Sequence, residues 1–391
     1  MSQAKIPRTT LSSWNEICMG KSKLDEYGTS TYAQNYYPSV DECVFYKGKS
    51  IYVLYTDGSI LTGPDDAELD QIIQEIKDAG LELTVEGDIS DFLGVKITRK
   101  NDGTVELTQP HLIDQIIAAL GLESKPGQNP PTTKSTPASP STILHKHPDS
   151  EPFDGHFDYR SVIGKLLYLE KCSRPELAQA VHQCARFQAN PKVEHGKALK
   201  RIGRYLLATR DKDMTLRPND PSFDCYADAG FAGDFIKDFS DDPDCARSRT
   251  GFVIKYGGCP IIWCSKLQTE ITLSSTEAEY VALSQALREV IPLMNLMKEM
   301  ATMGHDVGTT KPRIHCRVFE DNSGALIMAK EHKSRPRTKH IAVKYHHFRE
   351  HVERGDITVH PIGTNDQIAD LLTKPLPIEK FVRHRISFLG W

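Results

Sequence analysis

The sequence has no Cys-x-x-Cys pair among its nine cysteines, and these are spread from Cys18 to Cys316 in odd number. Zinc ribbons and disulfide frameworks are therefore excluded, and reduced intracellular thiols are expected. Nor does it have an excess of positive charge. Lys+Arg number 48 against 52 Asp+Glu, a formal net charge of −4 with a pI near 6.4, so any nucleic-acid partner must be held by local basic patches. No apolar run approaches the roughly 18 residues of a membrane span, and the Met1 start lacks an apolar signal core. A soluble, unsecreted, intracellular protein without a membrane partner is expected. What is present is ordinary globular composition, 39% hydrophobic and 26% charged over 391 residues. At roughly 150 residues per domain that is two or three domains with sizeable cores.

One stretch breaks this composition. Residues 124–158 contain Lys125-Pro126-Gly127-Gln128-Asn129-Pro130-Pro131 and Ser135-Thr136-Pro137-Ala138-Ser139-Pro140, a linker or long ordered crossing, because Pro withholds backbone donors and such composition buries little. Before it, Cys43 to Tyr46, Ile51 to Tyr55 and Ile60-Leu61 predict strands joined by turns; Asp65 to Ala79 predicts a helix through Leu69, Ile72, Ile73 and Ile76, and Phe92 to Thr98 a further strand. After it come three helices (Tyr159 to Tyr168, Arg174 to Phe187, Val193 to Ala208), then strands at Asp224 to Ala227, Gly251 to Tyr256 and Pro260 to Cys264. A long helix (Thr276 to Met300), a strand (Arg313 to Phe319), helices at Ser323 to Lys330 and Thr338 to Arg354, a strand (Ile357 to His360) and a helix (Asp366 to Thr373) complete the chain. Three consecutive strands followed by alternating helix and strand make a mixed sheet covered by helices.

Four acidic residues occupy comparable places in that last region. Asp228 closes the first strand, Glu279 lies one turn into the long helix, Asp321 ends a strand, and Asp370 opens onto the last helix. Their neighbours have structural work. Ser274-x-x-Glu277 fits a capping box, and Asp366 can cap the last helix, which leaves Glu279 and Asp370 free. Convergent carboxylates repel unless hard divalent cations neutralise them, and paired ions are suited to in-line attack of water on a phosphodiester.

The strings Tyr226-Ala227-Asp228, Trp263-Cys264-Ser265-Lys266-Leu267-Gln268, Leu273-Ser274-Ser275-Thr276-Glu277-Ala278-Glu279-Tyr280, Glu320-Asp321-Asn322, Arg337-Thr338-Lys339-His340-Ile341 and Gln367-Ile368-Ala369-Asp370-Leu371-Leu372-Thr373-Lys374-Pro375 resemble the ribonuclease H domain that closes copia-type retrotransposon polyproteins. Tyr159-Arg160-Ser161-Val162-Ile163-Gly164, Arg174-Pro175-Glu176-Leu177-Ala178 and Ala198-Leu199-Lys200-Arg201-Ile202-Gly203-Arg204 are similar to the thumb and connection of the same family's reverse transcriptase. Phe92-Leu93-Gly94-Val95-Lys96-Ile97 resembles the strand after its active-site hairpin. The resemblance implies a mixed α/β and α+β chain of several domains: a truncated polymerase palm (1–123), the linker (124–158), a helical thumb and connection (159–218), and a ribonuclease H-like five-stranded sheet with flanking helices (219–391). It implies Asp228, Glu279, Asp321 and Asp370 as catalytic and metal-holding residues, with magnesium or manganese as cofactor. The implied partners are an RNA/DNA hybrid or other nucleic acid and further Pol products, in the cytoplasm (in virus-like particles) or the nucleus.

One departure concerns the polymerase. Where the family carries Tyr-x-Asp-Asp, this chain has Tyr55-Thr56-Asp57-Gly58, so Asp57 remains and its partner carboxylate is a glycine. Fingers and the earlier palm aspartate are also missing, and a palm remnant without DNA synthesis is expected. A cellular ribonuclease H motif at Tyr55 to Ser59 fits less well, because a helix follows where two more antiparallel strands would be required. For nucleic-acid contact, Lys197, Lys200, Arg201 and Arg204 recur at helical spacing on one stripe, which suits a phosphate track although most charged faces are only solvated. A second basic stretch follows Asp321, with Arg337, Lys339, His340 and Lys344 as its contact residues; its histidines lack a thiol or carboxylate at zinc spacing. Trp263 and Tyr226 are expected to pack within strands. The competing function is a catalytically silent, nucleic-acid-binding remnant of a decayed element.

Overall fold

The computed structural model describes residues 37–391 except 39–40, 42, 56–57, 79, 81–83, 88, 125, 128, 147–148, 220, 238–241, 308–313 and 331–346. Asp57, Arg337, Lys339, His340 and Lys344 lie outside the described residues. The chain forms two compact units, 1–97 with 292–314, and 98–291 with 315–391.

In the first unit, strands β1 (Tyr37–Pro38), β2 (Val44–Lys47), β3 (Ser50–Tyr55) and β4 (Gly58–Thr62) form an antiparallel meander in chain order. Tyr55 of β3 stands opposite Gly58 of β4, the register expected of a tight hairpin. Helix α1 (Asp66–Asp78) has Asp66 and Glu68 in its first turn and Lys77 in its last, which suits the helix dipole. Its Leu69, Ile72 and Ile73 bury with Leu61 of β4. A short hairpin follows, β5 (Asp91–Phe92) against β6 (Val95–Arg99).

The second unit begins with β7 (Val105–Thr108) and α2 (Pro110–Ala119), a helix not anticipated from the sequence. Its signals are nevertheless present: Pro110 at the first turn, and Ile113, Ile116, Ile117 and Leu120 on one stripe. Helices α3 (Tyr159–Cys172), α4 (Ala178–Ala185) and α5 (Val193–Ala208) follow, with a single 3₁₀ turn at Pro175–Leu177 where the second helix was expected to start. Strand β8 (Met214–Leu216) pairs with β7. The stripes of α2, α3 and α5 meet in one core; each fully buried Leu or Ile there contributes about 1.5–3 kcal/mol. Gly203 permits this approach, since a Cβ there would stand 2.4 Å from Leu120 Cδ1 and 2.7 Å from Leu122 Cδ1.

The same core extends through Val253, Trp263, Leu372 and Phe388 to the main sheet. Its strands are β9 (Phe223–Gly230), β10 (Arg249–Tyr256), β11 (Cys259–Leu267), β12 (Cys316–Glu320) and β13 (Ile357–Pro361), in spatial order β11-β10-β9-β12-β13. The first three form an antiparallel meander; β12 adds parallel to β9, and β13 parallel to β12. Helix α6 (Ser275–Thr302) follows β11, α7 (Ser323–Lys330) and α8 (Arg349–Glu353) lie between β12 and β13, and α9 (Asp370–Thr373) and α10 (Ile378–Leu389) end the chain. Trp263 packs edge-on against Phe388 and donates its indole N–H to the Glu170 carbonyl at 2.9 Å, and Tyr226 stacks on Phe319.

The Pro/Ser/Thr-rich segment is an ordered crossing. Lys134 donates its N–H to the Arg204 carbonyl, Arg201 donates to the Thr136 hydroxyl at 2.9 Å, and the His195 ring meets the His145 carbonyl at 2.8 Å. Segment 134–145 thus runs along α5. Among the described residues no helix is long and apolar enough to cross a membrane.

Candidate metal centre

Strands β9 and β12 stay paired only as far as Tyr226 and Phe319; β9 then continues to Gly230 with β10 alone. The fork lies at the carboxyl ends of the parallel strands, where open sheets with a change of strand order present a crevice. Asp228 stands inside the fork, two residues short of the strand end instead of closing it. Gln367, fully buried, donates to the Ala227 carbonyl at 2.8 Å and to the Phe319 carbonyl at 3.4 Å, so one amide satisfies both parted strands. Gln367→Leu leaves those acceptors dry and unpaired. It should cost about 1–3 kcal/mol in urea unfolding.

Each carboxylate is set by local packing. Ala229 of β9 clusters with Ala278 and Ala282 of α6, and these small side chains let the helix close on the strand. Glu279 is thereby brought beside Asp228. The helix start is capped by Ser274, whose hydroxyl accepts from the Glu277 N–H at 3.2 Å, while Glu277 accepts from the Leu273 N–H, one residue before the cap. Asp321 follows β12, and its neighbour Asn322 accepts from the Ala325 N–H at 3.0 Å and from the Thr276 hydroxyl at 3.2 Å, tying the start of α7 to the first turn of α6.

Asp370 is the first residue of α9, whose cap position is Ala369; Asp366 does not cap it, because 364–366 form a separate turn. The helix lies so close to β10 that a Cβ at Gly251, opposite Asp228 in register, would meet Thr373 Cγ2 at 2.6 Å, Leu372 Cβ at 2.9 Å and the Ala369 carbonyl at 3.0 Å. Gly251→Ala should therefore push α9 outward. Denaturant titration should show a loss of about 1–3 kcal/mol.

Oxygens of Asp228, Glu279 and Asp321 lie within 4.8 Å of one another. Asp370 is not in that group and meets Asp228 through Lys374, whose ammonium contacts Asp370 and stands 3.8 Å from Asp228 Oδ2. Thr373 donates its hydroxyl to Asp228, and Lys380 bonds Asp370 and the Thr364 carbonyl. Glu320, a buried fifth carboxylate, accepts from the Asn322 N–H.

Burial is the main cause of the electrostatics. It raises Asp228 to about 7 against the pull of Lys374, with the Asp370 charge adding to the rise. Glu279 goes up to about 11 through burial and then through the charges of Asp228, Glu320 and Asp321. Glu320 rises to about 8, again by burial, against the Asn322 N–H. Burial works against the Lys374 charge, but Asp228 and Asp370 outweigh it and raise this ammonium.

The donor set fits a divalent metal. Glu279 Oε2 and Glu320 Oε2 are buried without a hydrogen-bond partner, and carboxylate oxygens are the ligands hard cations take. Glu320, Thr373, Lys374 and Lys380 were not anticipated. Glu320 adjoins Asp321 in the sequence and Lys374 is one turn after Asp370, but only the fold shows them facing the cluster.

On α5, Lys197 is exposed and faces Glu194 at 3.9 Å, and Lys200 is half-buried. Arg201 and Arg204 lie partly under the crossing segment. The expected open stripe of four cations is thus half covered.

A three-strand meander extended by two parallel strands, with helices on both faces and carboxylates at its fork, is the ribonuclease H-like fold. No family model matches the chain. It is 31% identical over 370 residues to the retrovirus-related Pol polyprotein from transposon TNT 1-94 of Nicotiana tabacum, covering 92% of this chain and 26% of that one. It is also 32% identical over 336 residues to the Pol polyprotein from transposon RE1 of Arabidopsis thaliana, covering 85% and 21%. Among solved structures, LC11-RNase H1 from compost aligns at 18% identity and a TM-score of 0.28, over 39% of this chain and 93% of that one. The chain belongs to the copia-type retrotransposon Pol family and spans about a quarter of the length of these curated relatives.

Proposed function

We propose that the second unit hydrolyses the RNA strand of an RNA/DNA hybrid, with Asp228, Glu279, Asp321 and Asp370 holding magnesium, or manganese in its place. The observation that carries this reading is the convergence of three carboxylates, Asp228, Glu279 and Asp321, at the fork of the sheet, with Glu279 Oε2 buried and without a hydrogen-bond partner. Two such ions, when bound, lower the pKa of a water and stabilise a leaving oxygen. The chain supplies the rest. Asp228 is held in orientation by the Thr373 hydroxyl, and Lys380 fixes one oxygen of Asp370. Asn322 keeps Asp321 at the start of α7. The buried walls strengthen every charge interaction in the crevice.

Residues 159–218 serve as thumb and connection, and 219–391 as the nuclease. Lys197 and Lys200, with Arg337, Lys339, His340 and Lys344, follow the phosphates, while Arg201 and Arg204, partly under the crossing segment, border that track. Lys197→Ala with Lys200→Ala should weaken hybrid binding and lower its salt slope by about 1–2 in fluorescence anisotropy. Residues 1–123 are a palm remnant in which Asp57 lacks its partner at Gly58. Primer extension should give no product, and other Pol products are the natural partners of this chain.

The decisive assay is cleavage of labelled RNA/DNA hybrid with magnesium. Binding without cleavage would favour the silent remnant and end this proposal.

A further inference from the structure

Lys374 faces the carboxylates in a way Lys380 does not. Lys380 donates to Asp370 and to the Thr364 carbonyl at 2.9 Å and is 20% exposed, a side chain fixed at both ends of its reach. Lys374 is 42% exposed and sits against the other Asp370 oxygen, Oδ1. The ammonium is shared between Asp370 and Asp228 Oδ2, the latter at 3.8 Å. A cation standing between two carboxylates, outside the triad that can share one ion, occupies the place a second ion would need.

We propose that Lys374 is a built-in counter-ion at the second cation position, and that it must withdraw before a second divalent ion can be held between Asp228 and Asp370. This inference rests on the two-ion reading above. Charge balance points the same way. Among the described residues, five carboxylates (Asp228, Glu279, Glu320, Asp321, Asp370) face two ammonium groups. Two divalent ions beside both lysines would exceed the carboxylates by one charge, and withdrawal of Lys374 removes that excess. There is room for it to withdraw. Lys374 also lines a cavity of about 560 Å³ between α4, α5 and the crossing segment, whose lining includes Asp234, itself paired with Arg186 at 2.6 Å.

The consequence is sequential binding, with one ion taken readily at Asp228, Glu279 and Asp321 and a second opposed by the lysine. The test is manganese binding to the full chain at pH 7.5, by calorimetry and by loss of the free-ion paramagnetic signal, in the wild type and in Lys374→Met, Lys374→Arg, Lys380→Met and Asp228→Asn. The wild type should show one stronger and one weaker site. Lys374→Met should tighten the weaker site about tenfold or more by removing a nearby like charge, and Lys374→Arg should leave it weak. The metal-free Lys374→Met protein should also melt lower than wild type and gain more on adding manganese. Equal wild-type sites, or a weaker site unmoved by Lys374→Met but tightened by Lys380→Met, would overturn the inference while leaving the metal centre standing. Undiminished manganese binding in Asp228→Asn would instead remove the two-ion reading itself.

Discussion

Asp228→Asn should abolish hybrid cleavage and yet stabilise the metal-free protein. Asp228 is only 2% exposed, shares the triad with Glu279 and Asp321, and is the one member that also meets Lys374 and Thr373. Its amide keeps the shape but gives up the charge. Losing a preorganised charge of this kind costs about 10²–10³ in turnover even where only a hydrogen-bond donor is removed, so a loss of at least about 10³-fold at saturating magnesium is expected. The stability change has the opposite sign. A carboxylate raised to about 7 by burial is a strained charge at neutral pH, and the neutral amide escapes that cost. Single-turnover cleavage and urea unfolding in chelator measure the two effects. Retained cleavage would refute the assignment of Asp228, and a destabilised metal-free variant would refute the electrostatic account.

The second large effect is a pH dependence that divalent metal removes. Asp228, Glu320 and Glu279 are raised to about 7, 8 and 11, all above ordinary carboxyl values. A raised folded-state pKa means the folded form holds protons that the unfolded chain has released. The associated stability is complete below about pH 4, where both states are protonated, and is lost as pH rises through the folded values. Metal-free protein should therefore weaken between about pH 4 and pH 9 at about 1.4 kcal/mol per pH unit for each excess proton held. Millimolar magnesium should flatten the profile, since a bound cation favours the ionised cluster and adds its own binding energy to the folded state. Thermal melts at pH 5, 7 and 9 with chelator or magnesium decide this. Equal melting temperatures across the chelator series would show that the cluster is solvated and uncoupled.

Much of the main sheet is legible in the sequence because its strands are short apolar runs between turn formers and its helices are periodic. Strands β9 to β13 and helices α6 and α7 fall where alternation and spacing put them. Strand β9 runs two residues beyond Asp228, because Ala229 and Gly230, which resemble a turn in the sequence, continue it. They are strand residues chosen small so that α6 and α9 can close on either side. Asp366 has the composition of a cap, but the tertiary fit of Gln367 and Gly251 sets where α9 begins. Helix α2 was overlooked in the shadow of the proline-rich segment that follows it. That segment illustrates a limit of composition. Its prolines predict an absence of regular structure correctly, but they say nothing of the hydrogen bonds from Arg201 and Lys134 that hold it to α5.

The bond from Thr373 to Asp228 joins residues 145 positions apart. A nascent chain that has emerged as far as α7 already carries Asp228, Glu279 and Asp321, but nothing yet orients the first of them or balances its charge. The centre is therefore complete only once α9 has been made. Termination before α9 would leave the β9 to β13 sheet without the residues that orient Asp228 and balance its charge.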